Sequence, residues 1–191
     1  AGDGEDAPSE QASAIVTPTD ETQTLDFGDT GTQLSVRSVQ QGGRVTVRFF
    51  SGTGGSSATA RARAPAAGKT NAKDTAFETI SPYRWEIDPG RARLDSVEVR
   101  FRLRDADIEG VGRPDSVVVL VDSTGNGSRV ALETRFEDGG TPSDPADDQI
   151  VATGMPARRS VVRLASNSPG NPLPVELARF TATTSGGAVA L

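Results

Sequence analysis

The stretch Leu94-Asp95-Ser96-Val97-Glu98-Val99-Arg100-Phe101-Arg102-Leu103 decides the fold class. Val97, Val99, Phe101 and Leu103 alternate with Glu98, Arg100, Arg102 and Arg104, which puts apolar side chains on one face of a strand and charges on the other. Upstream, Leu34, Val36 and Val39 continue the theme, and Val45, Val47 and Phe49 repeat it after Gln40-Gln41-Gly42-Gly43. Two alternating runs about a Gly-Gly pair predict a β-hairpin. Downstream, Ser116 to Val121 is a continuous apolar run suited to a central strand, and Val130 to Phe136 predicts another. Ile150-Val151-Ala152 and Ser160 to Leu164 predict short closing strands. With 21 glycines and 12 prolines in 191 residues, many short strands joined by turns are expected. The expected architecture is all-β: an antiparallel β-sandwich, Ig-like or jelly-roll-like, over residues 25–166 with extended termini.

Both termini differ in character from this body. Residues 1–24 are rich in Asp, Glu, Ser, Thr and Pro around one apolar island, Ala14-Ile15-Val16. Composition alone predicts a disordered acidic extension. Two ordered readings stand beside that: the island lies along its own domain, or it docks on a neighbouring copy as an added strand. Residues 167–191 begin as a linker, Asn167 to Pro172, and continue as a strand-like segment, Leu173 to Ala182, whose apolar side chains include Val175, Leu177 and Phe180. This segment is expected to open a further domain or to serve as an inter-subunit strand. Ala14, Ile15, Val16, Val175, Leu177 and Phe180 are therefore the candidate assembly residues. Residues 51–76, rich in Gly, Ser and Ala, predict a long exposed loop.

Composition narrows the chemistry. The absence of cysteine excludes disulfides and thiolate metal sites, and the absence of histidine removes the usual neutral-pH general base and the commonest zinc ligand. A net charge of −6 with no Lys/Arg cluster argues against nucleic acid. No run reaches the roughly 20 apolar residues of a membrane span, so no membrane insertion is expected. The opening Ala1-Gly2-Asp3-Gly4-Glu5-Asp6 matches what cleavage of a signal peptide leaves, which predicts secretion. Paired carboxylates could hydrolyse glycosides without histidine, but no pair is placed across a cleft by the sequence. A non-catalytic role is expected.

Three local features carry candidate sites. Asp122, Thr124, Asn126 and Glu133 supply oxygens at the first, third, fifth and twelfth positions of a loop with Gly127 at the sixth, the spacing of a calcium-binding EF-hand loop. The flanking segments are strand-like, however, and Asn126-Gly127 between two strands is a hairpin signal. Calcium is the one cofactor the sequence suggests, here or in the acidic groups Asp138, Asp144, Asp147, Asp148 and Asp105, Asp107, Glu109, Asp115. The chain's one Tyr and one Trp, Tyr83 and Trp85, are spaced to share a strand face: exposed, the rings would stack on a glycan; buried, they are core.

The pieces Arg44-Val45-Thr46-Val47-Arg48-Phe49, Tyr83-Arg84-Trp85-Glu86-Ile87, Val99-Arg100-Phe101-Arg102-Leu103 and Leu173-Pro174-Val175-Glu176-Leu177-Ala178-Arg179-Phe180-Thr181-Ala182, in that order, resemble a β-domain of secreted proteins of the Bacteroidota and Rhodothermota. The last piece resembles the lead-in to the C-terminal region of proteins exported by type IX secretion. The resemblance implies an extracellular or cell-surface location and transfers no catalytic residue. It also makes Asp74-Thr75-Ala76 similar to the short O-glycosylation sites of such bacteria, with Thr75 the acceptor. Taken together, the expected function is a structural or adhesive surface protein. It would self-associate or bind other surface proteins, as a filament or sheath subunit joined by strand exchange. The alternative is a carbohydrate-binding accessory module of a larger secreted enzyme, with glycans as its partners.

Overall fold

The computed structural model describes residues 7–51, 61–63, 74–76, 79–81, 83–102, 114–140, 147–166, 183–185 and 188–190. The strands, in chain order, are β1 (Glu10–Val16), β2 (Gln23–Asp26), β3 (Thr32–Gln41), β4 (Gly43–Phe50), β5 (Arg61–Arg63), β6 (Asp74–Ala76), β7 (Thr79–Ile80), β8 (Arg84–Asp88), β9 (Arg93–Arg102), β10 (Val117–Asp122), β11 (Arg129–Ala131), β12 (Glu133–Glu137), β13 (Gln149–Thr153), β14 (Ser160–Ser166), β15 (Thr183–Ser185) and β16 (Ala188–Ala190). One sheet runs β1-β4-β8-β14-β10-β11-β5-β6, with β7 also paired to β14; a second runs β12-β13-β9-β3-β2; and β15 pairs with β16 in a separate two-stranded sheet. Pairing is antiparallel except between β11 and β5. The all-β sandwich expected from the alternation is the architecture observed.

Its core is the inward face of each strand. Val45, Val47 and Phe49 of β4, Trp85 and Ile87 of β8, and Val162 and Leu164 of β14 meet Leu34 and Val36 of β3, Val97, Val99 and Phe101 of β9, and Ile150 and Ala152 of β13. Each fully buried side chain of this size contributes about 1.5–3 kcal/mol, so the two faces supply the stability that no disulfide provides. In β9 the expected division holds for Val97, Val99 and Phe101 inward against Glu98, Arg100 and Arg102 outward.

Three local expectations are corrected. The Gly42-Gly43 turn does not make a hairpin, because β3 belongs to the five-stranded sheet and β4 to the nine-stranded one. The chain crosses the sandwich there. A Cβ at Gly42 would stand 2.8 Å from the Val16 carbonyl oxygen, and one at Gly43 would stand 2.8 Å from the Ala92 nitrogen. The glycines therefore permit two close backbone approaches at a sheet-to-sheet arch. Likewise, Val130 to Phe136 is not one strand: β11 and β12 lie in different sheets, and Leu132 N–H still donates to Val119 O (2.9 Å) as the chain leaves. The Thr134 hydroxyl then accepts from Val119 N–H (3.0 Å), standing in for the main chain that has departed. Finally, residues 51–76 are not wholly loop, since β5 and β6 extend the large sheet.

Val36 and Val39 are both buried though three apart, as are Leu94 and Val97 on the partner strand. Val36 pairs with Val97 and Val39 with Leu94, so both strands slip phase together. Ser38 lies between Val36 and Val39 at φ 57°, and the register itself shifts only beyond, between Val39 and Gln41.

Candidate functional site

The stretch set apart by composition as an N-terminal extension enters the sandwich as an edge. All seven residues of β1 pair antiparallel with β4, from Glu10 opposite Phe49 to Val16 opposite Gly43. The alternation explains the seating: Val16 is buried, Ala12 and Ala14 pack partly buried against the core, and Ile15 points outward, 60% exposed, opposite Arg44. The contacts β1 makes here are with its own domain. Side-chain bonds reinforce the pairing, with Ser13 Oγ 2.9 Å from Thr46 Oγ1 and Arg48 Nε donating to Gln11 Oε1 at 2.8 Å. Among the described residues β1 ends the large sheet's strand order, so no described strand pairs with its other side. Its sequence, Glu-Gln-Ala-Ser-Ala-Ile-Val, carries one charge and neither the Lys nor the Pro that usually blunt such edges. Val175, Leu177 and Phe180, the assembly candidates near the other terminus, lie outside the described residues.

The calcium candidates divide. Asp122 closes β10 while Glu133 opens β12 in the opposite sheet, where it is exposed and pairs with Thr153. The Asp122 carboxylate turns into its own loop: Oδ1 accepts from Thr124 N (2.9 Å), Thr124 Oγ1 (3.0 Å) and Gly125 N (2.9 Å), and Oδ2 accepts from Gly127 N (2.8 Å). Burial pushes this carboxyl up, but the bonds from Thr124, Gly127 and Gly125 outweigh burial and hold it below its usual 3.8. These N–H groups occupy the oxygens that a cation would need. Thr124 and Asn126 are exposed, and the Thr124 hydroxyl lies 2.5 Å from Asn126 Oδ1. The hairpin expected from Asn126-Gly127 is present, with Leu120 opposite Ala131 and Val121 opposite Val130. Among the described residues no three acidic side chains gather as a metal site would require. Asp138 caps its own turn through Gly140 N (2.9 Å); Asp105, Asp107, Glu109 and Asp144 lie outside the described residues.

Trp85 cannot serve as a glycan platform. Its ring is fully buried, 4.7 Å from Phe101 and 5.3 Å from Phe49 between centroids, and its indole N–H donates to Thr30 O at 2.9 Å. Tyr83 is half-buried against the same cluster, 5.8 Å from Phe49. The period-of-two spacing did place both rings on one face, and that face is the core. Thr75 lies in β6.

The outward face of the five-stranded sheet holds an arrangement that the sequence did not reveal. Val151 stands in register between Arg135 of β12 and Arg100 of β9. Arg100 bonds Glu98 (2.8 Å) and Glu137 (2.6 Å), and Arg135 bonds the same two carboxylates (3.0 and 2.8 Å). This closed ring of four charges leaves the outward-facing Val151 with no exposed surface. Arg102 and Gln33 bind Asp26 (2.7 and 2.8 Å) in continuation. The ring needs three strands in register, and only alternation of Arg with Glu was visible beforehand.

The outward face of the large sheet is different. Leu120, Ala131 and Ala165 form a second buried apolar group with Ile80 and Val118. The Arg84 guanidinium covers Phe50, 4.1 Å from its ring centre. Arg163 donates to Ser81 O (3.2 Å); burial, with repulsion from Arg129 and Arg84, pushes it down to about 10, still charged at neutral pH. Comparison with protein-family models, with curated proteins and with solved structures finds no match.

Proposed function

We propose that this chain is a non-catalytic, extracellular structural or adhesive subunit that joins its neighbours by strand addition at β1. The observation that carries the reading is the β1 edge, seven residues long and nearly uncharged, with Ile15 projecting beside it. An added strand gains main-chain hydrogen bonds along such an edge and specificity from alternate side chains. The occupant is Leu173 to Ala182 of a second copy, whose Val175 and Leu177 recur with the period a strand requires. The outer face of the five-stranded sheet supports the same conclusion by its character. Its charges are already paired with one another, so a partner docking there would have to displace the Glu98–Arg100–Glu137–Arg135 ring. Resemblance to secreted β-domains agrees with an extracellular setting.

The test is sedimentation velocity and negative-stain microscopy of the full chain over a concentration series, with Ile15→Lys and Leu177→Lys beside the wild type. The expected result is concentration-dependent oligomers or filaments that both variants abolish, the Ile15 variant keeping its melting temperature because that side chain lies outside the core. A chain that stays monomeric at every concentration, or variants that assemble like the wild type, overturns the proposal.

A further inference from the structure

We infer that the outward face of the large sheet carries a binding site for an acidic sugar, a glycan unit that bears a carboxylate among its hydroxyls. Arg48 and Phe50 of β4, Arg84, Glu86 and Asp88 of β8, and Arg159 just before β14 line one recess there of about 400 Å³. That size falls within the roughly 300–1,000 Å³ of small-ligand sites. Register brings the lining together. Arg48 stands opposite Glu86 and Phe50 opposite Arg84, so the two arginines are diagonal neighbours, their backbones about 7–8 Å apart.

Both guanidinium groups are held in place with donors to spare. Arg84 lies over the Phe50 ring, 4.1 Å from its centre, a contact that uses none of its N–H groups. Arg48 uses only Nε, which donates to Gln11 Oε1 at 2.8 Å. Its two terminal nitrogens remain for a bidentate pair with a carboxylate. Among the described residues neither arginine has an ion pair, and Glu86, the acid opposite Arg48, turns instead to Arg159 at 3.1 Å. On the five-stranded sheet, by contrast, Arg100, Arg102 and Arg135 are each matched with a carboxylate. Two adjacent unmatched cations repel each other, and a bound anion relieves them. Arg84 and Arg129 also repel Arg163 on the neighbouring β14, so the positive field extends across this face.

The carboxylates of the recess decide what kind of anion fits. Asp88 Oδ1 accepts from Gly90 N (2.9 Å) and Glu86 Oε2 accepts from Arg159, which leaves Asp88 Oδ2 and Glu86 Oε1 open as acceptors among the described residues. A bare inorganic anion is repelled by these oxygens, and a neutral sugar leaves Arg48 and Arg84 unmatched. A ligand with both a carboxylate and hydroxyl donors satisfies the two sets together: its carboxylate takes the arginines and its hydroxyls donate to Glu86 and Asp88. The recess lies on the face of the sheet rather than at the β1 edge, so strand addition neither occupies nor requires it.

The experiment is titration calorimetry of the full chain with a trimer of galacturonic acid, beside its methyl ester, triglutamate and inorganic phosphate. The trimer should bind, less tightly as salt is added, and the other three should bind at least about tenfold more weakly. Arg84→Met, which keeps an apolar arm over Phe50, and Arg48→Gln should each weaken binding about 10–100-fold, the worth of a charge-assisted hydrogen bond. Melting curves establish that each variant is folded, and if Arg84→Met is not, Arg48→Gln carries the test. A trimer that fails to bind at millimolar concentration overturns the inference. So does a methyl ester, triglutamate or phosphate that binds as well as the trimer, or a folded Arg48→Gln variant that binds like the wild type.

Discussion

The indole N–H of Trp85 donates to the backbone carbonyl of Thr30 at 2.9 Å, tying the middle of the large sheet to the short 3-10 turn Gly28–Thr30 that leads into β3. Both groups are buried, so the bond satisfies an acceptor that water cannot reach. Trp85→Phe keeps most of the ring contact with Phe49 and Phe101 but leaves Thr30 O with the longer bond from the Thr32 hydroxyl (3.2 Å). A loss of about 0.5–1.5 kcal/mol is expected from the missing indole bond, read as a lower urea midpoint with unchanged slope. Trp85→Ala adds a cavity and should cost about 3–5 kcal/mol. An exposed-residue cost, near zero for either variant, would contradict the placement.

The arch at Gly42 predicts a contrast between glycines. Gly42→Ala puts a methyl 2.8 Å from Val16 O and 3.0 Å from the Pro18 side chain, so backbone must move, at a cost of about 1–3 kcal/mol. Gly125→Ala meets nothing within 4 Å and carries only the strain of φ +71°, about 1 kcal/mol. Thermal unfolding of the two variants should rank them in that order.

The ring over Val151 predicts that charge removal acts through packing. Arg135, Arg100 and Glu137 are partly solvated, so Glu137→Gln, which removes the carboxylate from both arginines, should cost about 1 kcal/mol and less in high salt. Arg135→Ala also strips the aliphatic arm from Val151, and that part of the loss should persist in molar salt. Denaturation at low and high ionic strength separates the two contributions.

Acid stability follows from three carboxyls whose folded values lie below the ordinary ones. Gln33, Gly28 and Arg102 hold Asp26 low; at Asp122 the loop bonds outweigh burial; at Glu137 bonds from Arg135 and Arg100 outweigh it. A depressed folded pKa gives stability that is present above the unfolded value and is lost as pH falls through the folded one. Unfolding free energy should therefore decline below the ordinary values of 4.5 and 3.8. Across the neutral range it should be flat, because the chain has no histidine to titrate there. Urea titrations from neutral to acidic pH check both parts.

The candidate site was legible unevenly. Asn126-Gly127 announced its hairpin because a turn of that kind is specified by two residues. The calcium spacing of Asp122, Thr124, Asn126 and Glu133 misled, because a linear interval does not say that the chain changes sheets at Leu132 and carries Glu133 away. Ala14-Ile15-Val16 stood out as an apolar island; its partner strand did not, since nothing in β1 names β4.

The sequence by itself determined the fold class and the inward face of most strands, because a period of two in hydrophobicity is a local consequence of the pleat. It also determined what chemistry is excluded, since a residue type that is missing cannot act. Only the tertiary structure decided which strands are neighbours. The Gly42 arch, the Val151 ring and the burial of Trp85 all depend on segments far apart in the chain. Pairing is written in no single strand: any alternating strand can hydrogen-bond any other, and the choice falls to the packing of the whole core.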